Sequence, residues 1–177
     1  MNNLPVRKLH RLKEYDYSQN GYYYITICTE DRKKILSDVG NAVPGVPPKV
    51  VLTEIGRMVE ECWEKMSQID ENIKTDAFCI MPNHIHGIIV IENKDLSSER
   101  RGRRSLHSIV SGFKSVTTRK YKKITNNSES LWQSSFYDTI IKNETELYEI
   151  RKYIEYNHLK WNNDKYFEKE EDSWQNR

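Results

Sequence analysis

Residues 81–91 read Met81-Pro82-Asn83-His84-Ile85-His86-Gly87-Ile88-Ile89-Val90-Ile91 and predict the centre of the fold. The residues after the Pro-Asn pair are rich in β-branched and apolar types, so they predict a strand that begins just after a turn. Side chains of a strand alternate between its two faces, so His84 and His86 point one way and Ile85 the other. Two imidazoles on one strand make half of a metal site, and the other half must come from elsewhere in the chain.

The patterns on either side of this stretch predict the order β-α-β-β-α-β-α. The predicted strands are residues 21–28, 73–81, 84–91 and 132–141. A first helix is capped by Thr53 and runs to about Ser67, and a second begins at Ser105. Asn143 with Glu146 three residues on predicts the start of a last helix, roughly 144–158.

The connections between these elements are predicted from their turn-forming and polar residues. Residues 38–49 contain two glycines and three prolines and predict a loop. Residues 92–104 predict a mobile charged loop, and residues 125–130 a polar linker. The buried stripe predicted for the second helix is Leu106, Ile109, Val110, Phe113, Val116 and Thr117.

This order predicts an α+β fold of the ferredoxin-like type. Its first six elements, β-α-β-β-α-β, form an antiparallel four-stranded sheet with helices on one face, and a C-terminal helix is added. We expect the second and third strands to be neighbours because only Pro82 and Asn83 join them. The 177 residues are expected to form one domain, with a core of about 15–161 and a loose acidic tail over 165–177.

Composition narrows the class of protein. No apolar run reaches the roughly 20 residues of a membrane helix, and no secretion signal is visible. Three cysteines without a CxxC pair are typical of reduced thiols, so a cytoplasmic location is expected. The net charge of +2 is unevenly spread, because residues 99–123 hold nine of the 28 basic residues and one of the 26 acidic residues. Such a cluster predicts a contact with a polyanion, and a solvated helix face with a loose loop is the alternative.

The last predicted helix supplies candidates for the other half of the site. Tyr153 and Asn157 are four residues apart and therefore lie on one helix face. A tyrosine hydroxyl is a nucleophile that can attack phosphorus, and an Asn side-chain oxygen is a ligand for a hard divalent cation. Two His and one amide oxygen would leave positions open for a phosphate oxygen. A closed zinc site is disfavoured, because the other histidines are scattered and no HExxH occurs.

The chain resembles the single-tyrosine HUH transposases, and most closely their REP-associated branch. The resemblance runs from about residue 15 to Trp161. It rests on four segments taken in order, Tyr24-Ile25-Thr26-Ile27-Cys28-Thr29, residues 81–87, Leu131-Trp132-Gln133-Ser134-Ser135-Phe136-Tyr137-Asp138 and Tyr153-Ile154-Glu155-Tyr156-Asn157. The family often has Pro after the last Asn, where this chain has His158.

The resemblance implies an enzyme that cuts and rejoins single-stranded DNA beside a hairpin through a 5′-phosphotyrosine intermediate. Tyr153 would be the nucleophile, and His84, His86 and Asn157 would hold Mg²⁺ or Mn²⁺. The basic cluster is expected to bind the DNA backbone through Arg100, Arg101, Arg103, Arg104, Lys114, Arg119, Lys122 and Lys123. Relatives include dimers, so a homodimer and a tyrosine that serves the partner's site are both left open.

Two other functions fit the same pattern of elements. One is a non-catalytic nucleic-acid-binding module of RRM-like architecture, although its aromatic signature is missing from the third strand. The other is a metal-dependent phosphodiesterase in which water, not Tyr153, attacks the phosphate.

Overall fold

A four-stranded antiparallel sheet organises the protein. The structure is a computed structural model that describes residues 15–40, 48–94 and 104–163. Its strands are β1 (Gly21–Cys28), β2 (Ser37–Val39), β3 (Val50–Leu52), β4 (Ile73–Met81), β5 (His84–Ile91) and β6 (Tyr137–Ile141). Its α-helices are α1 (Glu54–Glu64), α2 (Met66–Ile69), α3 (Leu106–Thr125) and α4 (Glu144–Tyr156), and 3₁₀ helices span Glu30–Arg32 and Asn157–Asn163.

The sheet has the strand order β4-β5-β1-β6. The turn at Pro82 and Asn83 makes β4 and β5 neighbours, as predicted, and β1 lies between β5 and β6. Cys28 of β1 pairs with His84 of β5, and Thr26 pairs with His86. This arrangement confirms the predicted ferredoxin-like α+β fold with an added C-terminal helix.

The two faces of the sheet are covered by different helices. One face packs against α1 and α3 and holds the larger apolar core, to which the strands contribute Tyr23, Ile25, Ile27, Ile85 and Ile89. The other face packs against α4 through a smaller cluster of Ile88, Ile141, Leu147 and Ile154. Because β5 alternates, His84 and His86 lie on the α4 face.

Most helix starts agree with the sequence. Thr53 accepts a hydrogen bond from the Gly56 amide, Ser105 from the Ser108 amide and Asn143 from the Glu146 amide, so all three predicted caps are confirmed. The first helix is shorter than predicted, since it ends at Glu64 and gives way to the short α2. In α3, Val116 is 42% exposed, so its predicted burial is wrong, and Tyr121 is buried in the same core instead.

The predicted loop over 38–49 is partly wrong. Ser37–Val39 pairs with Val50–Leu52 as a separate two-stranded ribbon, β2-β3, that leads into α1. Gly56 explains how closely this ribbon meets the helix, because a Cβ at that position would lie 2.0 Å from the Leu36 carbonyl oxygen. Residues 41–47 lie outside the described residues.

The predicted fourth strand, 132–141, is wrong in its first half, because β6 begins only at Tyr137. Trp132 makes a single bridge to Thr29, and its indole N–H donates to the buried Thr117 hydroxyl. The carbonyl oxygens of Gln133 and Ser134 accept hydrogen bonds from the Lys114 ammonium at 2.5 and 3.0 Å. These side-chain partners fix residues 132–134 as a connection across the end of the sheet.

The last helix is α4, which ends at Tyr156 rather than at residue 158 and continues as the 3₁₀ helix through Asn163. Trp161 is buried, whereas Leu159 is 43% exposed. Within the described ranges, no helix combines the length and the apolar character that crossing a bilayer requires. The predicted acidic tail over 165–177 and most of the predicted mobile loop, 95–103, lie outside those ranges.

Candidate active site

The two histidines of β5 converge on one point. His84 and His86 are fully buried, and their Nε2 atoms lie 3.1 Å apart. Their alternation along the strand puts both rings on the α4 face, with ring centroids 4.6 Å apart. The predicted pairing of these two side chains is therefore present in the structure.

The outer nitrogen of each ring contacts an oxygen of the protein. His84 Nδ1 lies 2.9 Å from Asn83 Oδ1, and since an amide oxygen only accepts hydrogen bonds, Nδ1 is the donor. His86 Nδ1 lies 2.7 Å from the Tyr24 hydroxyl and 2.8 Å from the Thr26 hydroxyl. Contacts of this kind orient imidazole ligands in metal sites, where the second ring nitrogen faces the ion.

Sequence reasoning did not assign roles to Tyr24, Thr26 or Asn83. Tyr24 and Thr26 lie on β1, and they reach His86 only because β1 pairs with β5. The alternating polar positions of β1 were a usable signal, because Tyr24 and Thr26 lie on one face of a strand whose other face is apolar. That signal could not be read without knowing which strand β1 pairs with.

Helix α4 brings Tyr153 to the histidine face, and Asn157 caps the end of this helix. The Tyr153 ring lies 5.3 Å from the His86 ring and 6.3 Å from the Tyr24 ring, measured between centroids. Further along, the Trp161 ring lies 6.1 Å from the His84 ring. Asn157 is midway between Tyr153 and Trp161 in sequence and is 2% exposed. Tyr153 and Trp161 are therefore both beside the histidines, and the buried Asn157 lies between them in the sequence.

The spacing of the two imidazoles fits a divalent cation. Two ligands at right angles, each about 2.1 Å from an octahedral ion, lie about 3.0 Å apart, close to the observed distance between the Nε2 atoms. Within residues 15–40, 48–94 and 104–163, no three His, Cys, Asp or Glu side chains group into a metal site. A third protein ligand would therefore be of another type, and the amide oxygen of Asn157 is suited to a hard ion.

Two of the predicted DNA-binding residues are engaged within the protein. The Arg104 guanidinium forms an ion pair with Asp70 at 2.5 Å. The backbone amide of Arg104 donates to the Asn93 side-chain oxygen at 3.2 Å. The Lys114 ammonium donates to two carbonyl oxygens of the connection that precedes β6. Burial lowers the pKa of Lys114, and the charge of Glu30 opposes this shift. These contacts give Arg104 and Lys114 structural partners, and Lys114 also lines the groove described next.

Other predicted basic residues line an open groove of about 500 Å³ between α3 and residues 130–134. Arg119 and Lys122 lie on the groove side of α3, and Ser130, Gln133 and Ser134 form the opposite wall. We call this the basic groove. Lys123 is exposed in the last turn of α3. Arg100, Arg101 and Arg103 lie outside the described residues.

The basic groove lies near the histidine end of the sheet. Its wall is tied to β1, because the Gln133 amide donates to the Cys28 carbonyl at 3.0 Å. Cys28 is the residue of β1 that pairs with His84. A strand of nucleic acid leaving the groove over this wall would therefore reach the end of the sheet that carries His84.

Comparison with known proteins identifies the family and the fold. Residues 17–157 match the sequence model of a family described as IS200-like transposases. A protein of Haemophilus influenzae, named only as uncharacterized, is 31% identical over 91% of this chain and 93% of its own. The structure of the REP-associated tyrosine transposase bound to a REP hairpin has a TM-score of 0.57 at 16% identity and covers 85% of this chain and 73% of that one. The ferredoxin-like fold is shared with that structure.

Proposed function

Because the chain belongs to the IS200-like transposase family, we propose that it cuts and rejoins single-stranded DNA next to hairpins through a covalent 5′-phosphotyrosine. The observation that carries the proposal is the position of Tyr153, whose ring lies 5.3 Å from the ring of His86. The REP-associated tyrosine transposase, which has the same fold, is bound to a REP hairpin. This supports a hairpin-bearing strand as the DNA partner.

The chemical step joins Tyr153 to the DNA without an external energy source. The phenolic oxygen forms a bond to phosphorus, the bond from phosphorus to the 3′ oxygen breaks, and the released 3′ oxygen takes up a proton. The phenol proton can leave to water, because Tyr153 is 40% exposed. Attack by another 3′ hydroxyl reverses the step and joins two strands.

The remaining site residues bind and orient the phosphate. His84, His86 and Asn157 would hold a divalent cation, Mg²⁺ or Mn²⁺, whose charge polarises the scissile phosphate when bound. Asn83 keeps the Nδ1 proton of His84 on the side away from the site. The buried positions of both imidazoles keep their orientation fixed while the exposed side of Tyr153 admits DNA.

The tyrosine is proposed to act in its own chain. Only Lys142 and Asn143 separate β6 from α4, and β6 pairs with β1 in the central sheet. Such a short connection leaves α4 little reach toward a second molecule. Mixing Tyr153→Phe protein with His86→Ala protein tests this point, because an adduct restored by mixing would show that the tyrosine crosses between chains.

The basic groove is proposed to hold the DNA backbone. Arg119 and Lys122 on α3 face the connection that runs to the histidine end of the sheet. Cationic side chains that neutralise phosphates release counterions, so binding should weaken as salt increases. The proposed path places the hairpin beside α3 and the strand to be cut beside Tyr153.

The decisive experiment incubates the protein with hairpin-bearing single-stranded DNA and Mn²⁺ and resolves the products on denaturing gels. A protein–DNA adduct that is lost in Tyr153→Phe supports the proposal. Tyr156→Phe is the matched control, because Tyr156 lies three residues on in the same helix and is 46% exposed. Cleavage without an adduct would identify a hydrolase that uses water, and binding without cleavage would identify a non-catalytic module.

A further inference from the structure

We infer that the hydroxyl groups of Tyr24 and Thr26 are positioning groups that fix the tautomer of His86. The inference deepens the proposed function and rests on it. In this role, the two hydroxyls keep the His86 proton on Nδ1. The Nε2 lone pair of His86 is then directed at the position between the two Nε2 atoms, where a cation would bind. Tyr24 also contacts the ring of Tyr153, which links the orientation of the histidine to that of the nucleophile.

The register of the sheet places both hydroxyls at His86. Thr26 is the cross-strand partner of His86, and Tyr24 is two residues along β1 on the same face. The Tyr24 and Thr26 oxygens lie 2.7 and 2.8 Å from His86 Nδ1. Both distances are typical of good hydrogen bonds. The Tyr24 and His86 rings are also stacked, with centroids 5.5 Å apart and an interplanar angle of 29°.

We assign the direction of these hydrogen bonds from the proposed role of His86, in which Nε2 is the atom that faces the cation. The Thr26 hydroxyl donates to the Tyr24 oxygen at 3.4 Å, so its own oxygen has a lone pair directed at His86. His86 Nδ1 then carries the proton and donates to that oxygen. A neutral imidazole has one ring proton, so the proton on Nδ1 leaves Nε2 as an acceptor or ligand.

His84 also has a hydrogen-bond acceptor at its Nδ1 atom, but this acceptor is a side-chain amide rather than a hydroxyl. Asn83 Oδ1 accepts from His84 Nδ1, which leaves the His84 Nε2 lone pair facing the same point. The two Nε2 atoms lie 3.1 Å apart, so either one of them carries a proton that it donates to the other, or both face a bound cation. The hydroxyl pair on β1 and the amide oxygen of Asn83 therefore prepare both imidazoles to bind a cation.

The burial of Thr26 supports a polar role at that position. Thr26 is 2% exposed, on a strand whose neighbouring buried residues are Ile25 and Ile27. A buried hydroxyl costs free energy unless it forms hydrogen bonds, and valine would fill the same space without that cost. The contacts of Thr26 with His86 and Tyr24 offset this cost.

The test compares variants that remove a hydroxyl but keep the shape of the side chain. Tyr24→Phe, Thr26→Val and the double variant remove the contacts, and Thr26→Ser restores one. Tyr23→Phe is the matched control, because Tyr23 is the adjacent tyrosine of β1, on the other face of the sheet, where its hydroxyl donates to the Gln19 carbonyl. Two readouts are needed, the affinity of the DNA-free protein for Mn²⁺ by calorimetry and the His86 tautomer by ¹⁵N NMR with Mg²⁺.

The expected result is a loss of about 10- to 100-fold in Mn²⁺ affinity for the double variant, the usual cost of removing such partners. Tyr23→Phe and Thr26→Ser should stay close to wild type. The NMR spectrum should show the Nδ1–H form of His86 in the wild type and a mixture of forms in the double variant. A double variant that stays folded and binds Mn²⁺ within twofold of wild type would overturn the inference.

Failure of the inference and failure of the proposed function give different results. If the wild type forms no adduct, the proposed function fails, and the tautomer of His86 still decides the role of the hydroxyls. A wild-type protein with His86 in the Nε2–H form overturns the inference even if the adduct forms. Thermal unfolding of every variant separates these outcomes from a general loss of structure.

Discussion

The two faces of the central sheet are made by the same strands but differ in chemistry. On β1 and β5, one face presents Tyr23, Ile25, Ile27, Ile85 and Ile89 to α1 and α3. The other face presents Tyr24, Thr26, His84 and His86 to α4. Because successive side chains of a strand point to opposite faces, residues that pack the core alternate with residues that line the candidate site.

This difference shows how a small domain buries two histidines without losing its core. The apolar face supplies the larger part of the buried surface, with Trp63, Phe113 and Trp132 filling the layer beneath α1 and α3. The α4 face has a smaller apolar cluster, and its buried polar groups contact one another. Stability should therefore respond mainly to changes on one face, and catalysis to changes on the other.

The largest expected effect comes from His86→Ala, on the α4 face. His86 is fully buried between Tyr24, Thr26 and His84, so its removal takes away one proposed cation ligand. We expect adduct formation to fall by at least about 10³-fold, as when a central catalytic group is removed. Binding of hairpin DNA should change little. Adduct formation equal to that of the wild type would show that the histidine face does not carry the chemistry.

The next largest effect is expected one residue away, from Ile85→Ala on the apolar face. Ile85 is fully buried and belongs to the larger core. Its truncation should reduce the free energy of unfolding by about 2–5 kcal/mol, measured by urea denaturation. The folded fraction should still form the adduct with the wild-type dependence on Mn²⁺. A changed dependence on Mn²⁺ in this variant would break the separation between the two faces.

The sequence predicted the features that depend on local periodicity. The bounds of β1, β4 and β5, the three helix caps and the shared face of His84 and His86 all follow from patterns within about ten residues. Tyr153 lies in the last helix, as predicted, and its ring is beside His86, while Asn157 caps the end of that helix. These features required no knowledge of which strands pair.

The features that the sequence missed depend on contacts between distant parts of the chain. Residues 132–134 were predicted to be part of a strand, but the carbonyl groups of Gln133 and Ser134 accept hydrogen bonds from Lys114 instead of from a neighbouring strand. The β2-β3 ribbon consists of two three-residue strands separated by a segment rich in Gly and Pro. The contacts of Tyr24 and Thr26 with His86 span about 60 residues of sequence. Periodicity carries no information on these pairings.

A smaller effect is expected from the basic groove, which lies between α3 and residues 130–134. Charge reversal at Arg119 and Lys122 should weaken DNA binding and reduce the slope of log affinity against log salt by about 1 to 2. Fluorescence anisotropy at several salt concentrations measures this slope. Arg57→Glu in α1 combined with Lys65→Glu directly after that helix is the control, with the same change in net charge. Equal salt slopes in the two double variants would show that the groove does not bind DNA. Helix α3 would then contribute only to packing.

The smallest effect is expected from the ion pair between Asp76 and Arg151, which joins α4 to the edge strand β4. Asp76 lies at a bulge between Thr75 and Phe78, and both carboxylate oxygens accept from the Arg151 guanidinium. The Arg151 side chain is 45% exposed, and exposed ion pairs contribute little to stability, so Asp76→Asn should cost less than about 1 kcal/mol.

Asp76→Asn also tests what holds α4 on the histidine face. Leu147 and Ile154 are buried beneath the helix, so adduct formation should stay near the wild-type rate when the ion pair is removed. Glu71→Gln, which removes the exposed pair with Lys94 away from α4, is the matched control. A loss of activity in Asp76→Asn but not in Glu71→Gln would mean that the ion pair, rather than the small apolar cluster, sets the position of Tyr153. The α4 face would then depend on charge for its structure as well as for its chemistry.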